Sequence, residues 1–153
     1  MIVYKNGNLF EANEDILAHG CNCKGAFGSG VAGLMAKIHP KSKEAYIFKY
    51  KNKGWKLGEV QLVKSNNKII ANCATQDNYG NEKKSRIVYA DYKAIKSVMN
   101  ILYKYSKENN LSVAIPLIGA GLANGDWKII EKIINDIFVD INISVYLYKN
   151  KKP

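Results

Sequence analysis

Ile16-Leu17-Ala18-His19 runs into Gly20-Cys21-Asn22-Cys23-Lys24-Gly25-Ala26-Phe27-Gly28-Ser29-Gly30, after which Val31, Leu34, Met35 and Ile38 recur at helical spacing. An apolar run, a glycine-rich turn and a 3.6-residue period read, in that order, as strand, loop and helix. Glycine lets the main chain turn sharply and approach a ligand closely. The exposed N–H groups at the start of the following helix suit an anion. The pattern returns about ninety residues later, where Val113-Ala114-Ile115-Pro116-Leu117 leads into Ile118-Gly119-Ala120-Gly121-Leu122-Ala123-Asn124-Gly125-Asp126 and a second helical stretch. One such loop is weak evidence. Two of them, at strand ends and facing one crevice, predict a ligand that contains a diphosphate.

The rest of the chain completes an α/β pattern. Ile2 to Lys5 reads as a strand ended by Asn6-Gly7-Asn8, and Pro40 stops the helix Val31 to Ile38 before another helix at Ser42 to Lys51. Glu59 to Val63 and Ile69 to Ala74, joined through Asn66-Asn67, read as an antiparallel hairpin. Thr75 to Gly80 is a polar loop. Tyr89 to Lys107 carries Tyr92, Ile95, Val98, Met99, Leu102 and Tyr103 on one helical face. Asp126 is placed to cap the helix Trp127 to Phe138, with Ile129, Ile130, Ile133, Ile134 and Ile137 inward, and Ile143 to Leu147 is the last strand. The expected architecture is one α/β domain over residues 1–153, with a mixed sheet between helices and a crevice outside the strand ends.

Composition sets further limits. A chain of 153 residues buries about two-thirds of its unfolded surface and needs no disulfide or metal to hold a core. No apolar stretch reaches the roughly twenty residues of a bilayer span. Three cysteines, Cys21, Cys23 and Cys73, two of them one residue apart, suit neither a bridge nor a zinc knuckle. His19 completes a His-x-Cys-x-Cys cluster, but no second ligand group of usual spacing follows, so no metal site is expected. A soluble cytoplasmic monomer in a reducing compartment is the natural reading, without membrane contact. The formal net charge of +10 favours phosphorylated small molecules and polyanions in general. Scattered lysines in an Asn- and Ile-rich chain read more simply as a solvated surface than as a nucleic-acid footprint.

Two familiar nucleotide motifs are excluded. No acidic residue stands about twenty positions after the first loop to hold a ribose hydroxyl pair, and neither loop ends in Gly-Lys-Ser/Thr.

His19-Gly20-Cys21-Asn22-Cys23, Gly28-Ser29-Gly30-Val31-Ala32 and Pro116-Leu117-Ile118-Gly119-Ala120-Gly121-Leu122 with Trp127 together resemble the macro domain. Gly7-Asn8-Leu9-Phe10 is similar to that family's first strand exit, and the likeness in element order runs from about Ile2 to Tyr148. The nearest flavour is the branch of yeast-type ADP-ribose-1''-phosphate phosphatases and terminal ADP-ribose glycohydrolases, which also holds phage and bacterial members. The resemblance implies a three-layer α/β/α fold with ADP-ribose, or ADP-ribose-1''-phosphate, in a cleft and no cofactor. It places Asn8, Leu9 and Tyr148 by the adenine. Gly28, Ser29, Gly30, Val31 and Ala32 then wrap one side of the diphosphate, and Ile118, Gly119, Ala120, Gly121 and Leu122 the other. Gly20 lies in the same ligand-binding set, and Asn22 faces the distal ribose.

The chain also departs from the family pattern. Gln76 and Ala123 stand where glutamate-directed glycohydrolases carry a lysine and an aspartate, which argues against their covalent route; Lys83 and Lys84 lie a few residues away. Asn8 replaces an acidic residue at the adenine. The implied activity is hydrolysis of ADP-ribose-1''-phosphate or a related ADP-ribosyl derivative. The alternatives are a reader of free or protein-linked ADP-ribose without turnover and a de-ADP-ribosylating glycohydrolase.

Hydrolysis needs groups that place water, bind phosphoryl oxygens and protonate the leaving oxygen. His19, Asn22 and Asp126 are the candidates, with Lys24 beside them for the added phosphate. Each has a plainer reading: His19 as a half-buried loop anchor, Asp126 as a helix cap, Lys24 as a solvated charge. Phe27 and Tyr79 either cover the cleft or pack their own loops. Cys21 and Cys23 alternate with Asn22 and so turn away from the ligand.

Overall fold

The structure is a computed structural model, and it describes residues 1–80 and 87–150. Lys83 and Lys84 lie outside the described residues. Among the described residues ten helices and strands follow one another: β1 (Ile2–Asn6), β2 (Ile16–Cys21), α1 (Gly30–Ile38), α2 (Pro40–Asn52), β3 (Val60–Ser65), β4 (Lys68–Ala74), α3 (Tyr92–Asn109), β5 (Val113–Ile115), α4 (Trp127–Ile137) and β6 (Ile143–Leu147). Short 3-10 turns at Leu9–Glu11 and Tyr148–Asn150 complete the set.

The strands form one sheet in the order β1-β6-β5-β2-β4-β3. Neighbours from β1 to β4 run parallel, and the β3–β4 hairpin is antiparallel. Parallel central strands require cover on both faces, and the side-chain alternation supplies it. Ile16, Ala18, Ala71, Cys73, Val113 and Ile115 face α3 and α4, together with Ile95, Met99, Ile130 and Phe138. Leu17, Cys21, Ile70 and Ala74 face the other way, with Met35, Tyr46 and Trp55. The result is a three-layer α/β/α molecule whose parallel strands all deliver their following loops to one edge.

Local chemistry sets the element ends. Asp91 caps α3 by accepting from Ala94 N at 2.9 Å, and Asn110, at φ +52°, ends it in the left-handed region. This helix starts three residues later than its apolar stripe suggests, because the cap decides the start. Pro40 both blocks α1 and opens α2 as its first residue, a position where the missing N–H costs nothing. β5 stops at Ile115 because Pro116 cannot continue the ladder.

Two expected stripes prove narrower. Ile130 and Ile134 are fully buried, whereas Ile129 is 43% exposed. In α1 Met35 is fully buried while Leu34 and Ile38 face solvent, and Val31, Ala32 and Ala36 are the other residues of the helix that pack on the core. Among the described residues no helix is long and apolar enough to cross a membrane.

Candidate functional site

A cavity of about 710 Å³ opens at the carboxyl end of the parallel strands. Gly20, Asn22, Gly28, Ser29, Gly30, Val31 and Ala32 line one side, and Ile118, Gly119, Ala120, Gly121 and Leu122 line the other, so the two glycine loops converge. Tyr146, near the end of β6, and Tyr148, just past it, stand at one end, and Gln76 and Tyr79 at the end that follows β4. The loops after β2 and β5 lie between these ends, as the strand order requires.

The first loop is shaped to meet an anion. Ser29 occupies the N-cap of α1, yet its side chain makes no capping bond. The N–H groups of Gly30, Val31 and Ala32 donate to no carbonyl among the described residues, leaving the positive end of a nine-residue helix open to the cavity. Gly33 lets the loop return over the helix, because a Cβ there would meet Gly28 O at 2.9 Å. In the second loop, Gly125 N donates to Gly119 O at 2.7 Å and Asn124 N to Gly121 O at 3.0 Å. Gly119 adopts φ +77°, and a side chain there would run into Ile95 and Ile130. The N–H groups of Gly119, Gly121 and Leu122 have no acceptor among the described residues.

Asn22 is 8% exposed, and its amide is fixed by its own loop together with Tyr46 of α2. Oδ1 accepts from Lys24 N (2.9 Å), Ala26 N (3.2 Å) and the Tyr46 hydroxyl (2.9 Å), while Nδ2 donates to Ala26 O at 2.7 Å. A flipped amide would point N–H at N–H, so the orientation is set. One Nδ2 hydrogen remains, on a residue that lines the cavity.

Other expected site residues lie elsewhere. His19 lines no part of the cavity and is fully buried on the face toward α2. Its Nε2–H donates to Asn72 Oδ1 at 2.6 Å, and Asn72 Nδ2 donates in turn to Ser42 O and Gln61 Oε1. Burial lowers the imidazole to about 4 although the Asn72 bond pulls the other way, so it is neutral near pH 7. Its place on β2 is the reason, because it shares parity with Leu17 and Cys21, not with Gly20.

Asp126 is exposed outside the cavity, and Oδ1 caps α4 by accepting from Lys128 N at 2.9 Å. Asn8 Oδ1 accepts from Phe10 N at 3.0 Å to cap the first 3-10 turn, and Leu9 is buried in the core beneath. Neither lines the cavity. Lys24 pairs with Asp77 at 3.2 Å at the surface. Phe27 is buried with its ring 5.3 Å from His19, so it anchors the loop instead of covering the ligand. Tyr148 and Tyr79 do reach the cleft, at 55% and 56% exposure.

Cys21, Cys23 and Cys73 are buried free thiols, all pushed up by burial, so none is a thiolate at neutral pH. No group of three metal-ligating side chains gathers among the described residues. Among the described lining residues there is no carboxylate, imidazole or ammonium. The cavity is a surface of backbone donors, apolar side chains, tyrosines and the neutral polar side chains of Asn22, Ser29 and Gln76.

Tyr146 was not expected in the site. Its hydroxyl donates to Glu14 Oε1 at 2.6 Å, and Glu14 Oε2 accepts from Lys5 at 2.7 Å. Its position between buried Val145 and Leu147 on β6 is the signal that strand alternation carries for it.

A family model described as Macro domain matches residues 18–134. An ADP-ribose 1''-phosphate phosphatase of Meyerozyma guilliermondii is 30% identical, over 93% of this chain and 97% of the relative. A DNA ADP-ribosyl glycohydrolase of Mycobacterium tuberculosis is 27% identical over 95% of this chain, which spans 42% of that protein. The solved macrodomain of Mycobacterium tuberculosis DarG superposes with a TM-score of 0.82 at 26% identity, covering 95% of this chain and 97% of that one. With cleft, topology and sequence in agreement, the chain belongs to the macro domain family.

Proposed function

We propose that the cleft binds ADP-ribose and acts at its distal end, releasing phosphate from ADP-ribose-1''-phosphate. One observation carries the reading: both glycine loops line a single cavity, with unpaired backbone donors on each side where a diphosphate would sit. In this reading the tyrosines of the β6 end stack on a flat adenine ring, and Asn22, whose neighbour Cys23 N donates to Asp77 O at 3.0 Å and so draws its loop toward the end after β4, serves the distal ribose. The phosphatase activity named for the Meyerozyma relative supports the choice of substrate.

In this reaction a water oxygen attacks phosphorus, the bond from phosphorus to the 1'' oxygen breaks, and a proton released by that water ends on the departing oxygen, giving phosphate and ADP-ribose. Asn22 and the loop amides would hold the phosphoryl oxygens and the distal ribose. That is electrostatic positioning by fixed dipoles, with no charged acid or base needed from the described lining.

The absence of a charged side chain among the described lining residues favours a second reading, a module that binds ADP-ribose without turnover. Incubation with ADP-ribose-1''-phosphate and an assay of released phosphate separates the two. Release above background supports the hydrolase; tight binding of ADP-ribose with no release leaves the reader.

A further inference from the structure

Beneath the first glycine loop runs a ladder of rings. His19 meets Phe27 edge-on at 5.3 Å, Phe27 meets Tyr46 at 4.9 Å, and Tyr46 stacks on Trp55 at 5.2 Å. Tyr46, from α2, is fully buried, and its hydroxyl reaches up to the loop. It accepts from Gly25 N at 3.1 Å and shares its proton between Asn22 O at 2.7 Å and Asn22 Oδ1 at 2.9 Å. Burial raises the phenol far above its ordinary value, so it remains a donor at any working pH. The same helix touches the loop again at Tyr50, whose ring would lie 2.6 Å from a Cβ on Gly25. A helix outside the cleft thus sets the shape of a loop inside it.

We propose that Tyr46 is a positioning residue for the cleft: its hydroxyl orients the Asn22 amide so that the remaining Nδ2 hydrogen meets an acceptor oxygen at the distal end of the ligand. The proposal rests on the ADP-ribose reading above. With Tyr46 in place, three donors converge on Asn22 Oδ1. Without it, Oδ1 keeps only the two backbone donors and the Asn22 carbonyl loses its hydroxyl partner. The loop then relaxes at Asn22 O and Gly25 N and carries the amide with it, so the donor at the distal ribose shifts while the helix-end donors at the diphosphate stay in place.

Titration calorimetry with ADP-ribose and with ADP, which lacks the distal ribose, tests this in wild type, Tyr46→Phe, Asn22→Ala and the double variant. The measure is the ratio of the two dissociation constants. Tyr46→Phe is expected to lower the preference for ADP-ribose about tenfold, the scale of one lost hydrogen bond. Asn22→Ala should lower it by a similar factor, and the double variant no further, since both act through one amide. An unchanged preference in Tyr46→Phe, or a double variant that loses the product of the single effects, overturns the role of Tyr46 alone. A wild type that binds neither ligand at millimolar concentration overturns the ADP-ribose reading itself.

Tyr46→Phe also leaves Gly25 N–H without its partner and so lowers stability, which makes a second measurement on the wild type useful. In NMR the Asn22 side-chain amide protons should shift on adding ADP-ribose and stay in place with ADP. Amide signals that ignore ADP-ribose while the loop backbone responds overturn the proposal.

Discussion

Gly30 opens α1 at φ +59° directly against Leu122 of the second loop: a Cβ built on Gly30 would lie 3.2 Å from Leu122 Cδ1. Two segments that are distant in sequence are therefore in van der Waals reach at the mouth of the cleft. Gly30→Ala should cost about 1 kcal/mol of stability from left-handed strain alone, read by denaturant unfolding.

Gly28 and Gly121 give the opposite case. A Cβ on either meets nothing within 4 Å, both line the cavity, and neither has a positive φ. Gly28→Ala and Gly121→Ala should fold with unchanged stability and lose about tenfold or more in ADP-ribose affinity, because the new methyl occupies ligand space. Normal binding by both variants would place the ligand elsewhere.

His19 gives a pH signature. Its folded value of about 4 lies below the ordinary 6.5 because burial disfavours the cation, so the unfolded chain takes up the extra proton. Stability from this group is complete above pH 6.5 and falls by about 3 kcal/mol as the pH drops to 4. Unfolding curves at several pH values should show that slope, and His19→Gln should remove most of it.

Glu14 acts lower on the scale. Burial alone would raise its carboxyl, but hydrogen bonds from Lys5, Tyr146 and Ser144 outweigh that and hold it at about 2, below the ordinary 4.5. Its contribution is complete above pH 4.5 and disappears as the pH falls toward 2. Glu14→Gln should cost about 2 kcal/mol at neutral pH and weaken ADP-ribose binding through Tyr146, which it holds at the cleft wall.

Asp126→Ala should cost about 1 kcal/mol, the usual effect of a lost N-cap, and leave phosphate release as it was. A variant of unchanged stability and impaired turnover would return Asp126 to the chemistry.

The glycine loops and the layered fold were legible because their signals are local: a turn that needs glycine, an apolar run before it, a helical period after it. The Asp126 cap is local too. His19 could also have been placed correctly, since the alternation that turns Cys21 and Cys23 away from the ligand turns His19 the same way. Its strand parity turns the imidazole to the face of Leu17 and Cys21. Tyr46 left no such trace, because its partnership with Asn22 spans 24 positions and depends on how α2 lies on the sheet. The cap that Asn8 makes is equally hidden: its side chain serves the first 3-10 turn, a competition that only the folded backbone reveals.

Calorimetry of the intact protein with ADP-ribose tests the central claim most directly. A saturable heat with one ligand per chain, accompanied by a rise in melting temperature, is the predicted result. No heat and no thermal shift at millimolar ADP-ribose would contradict it.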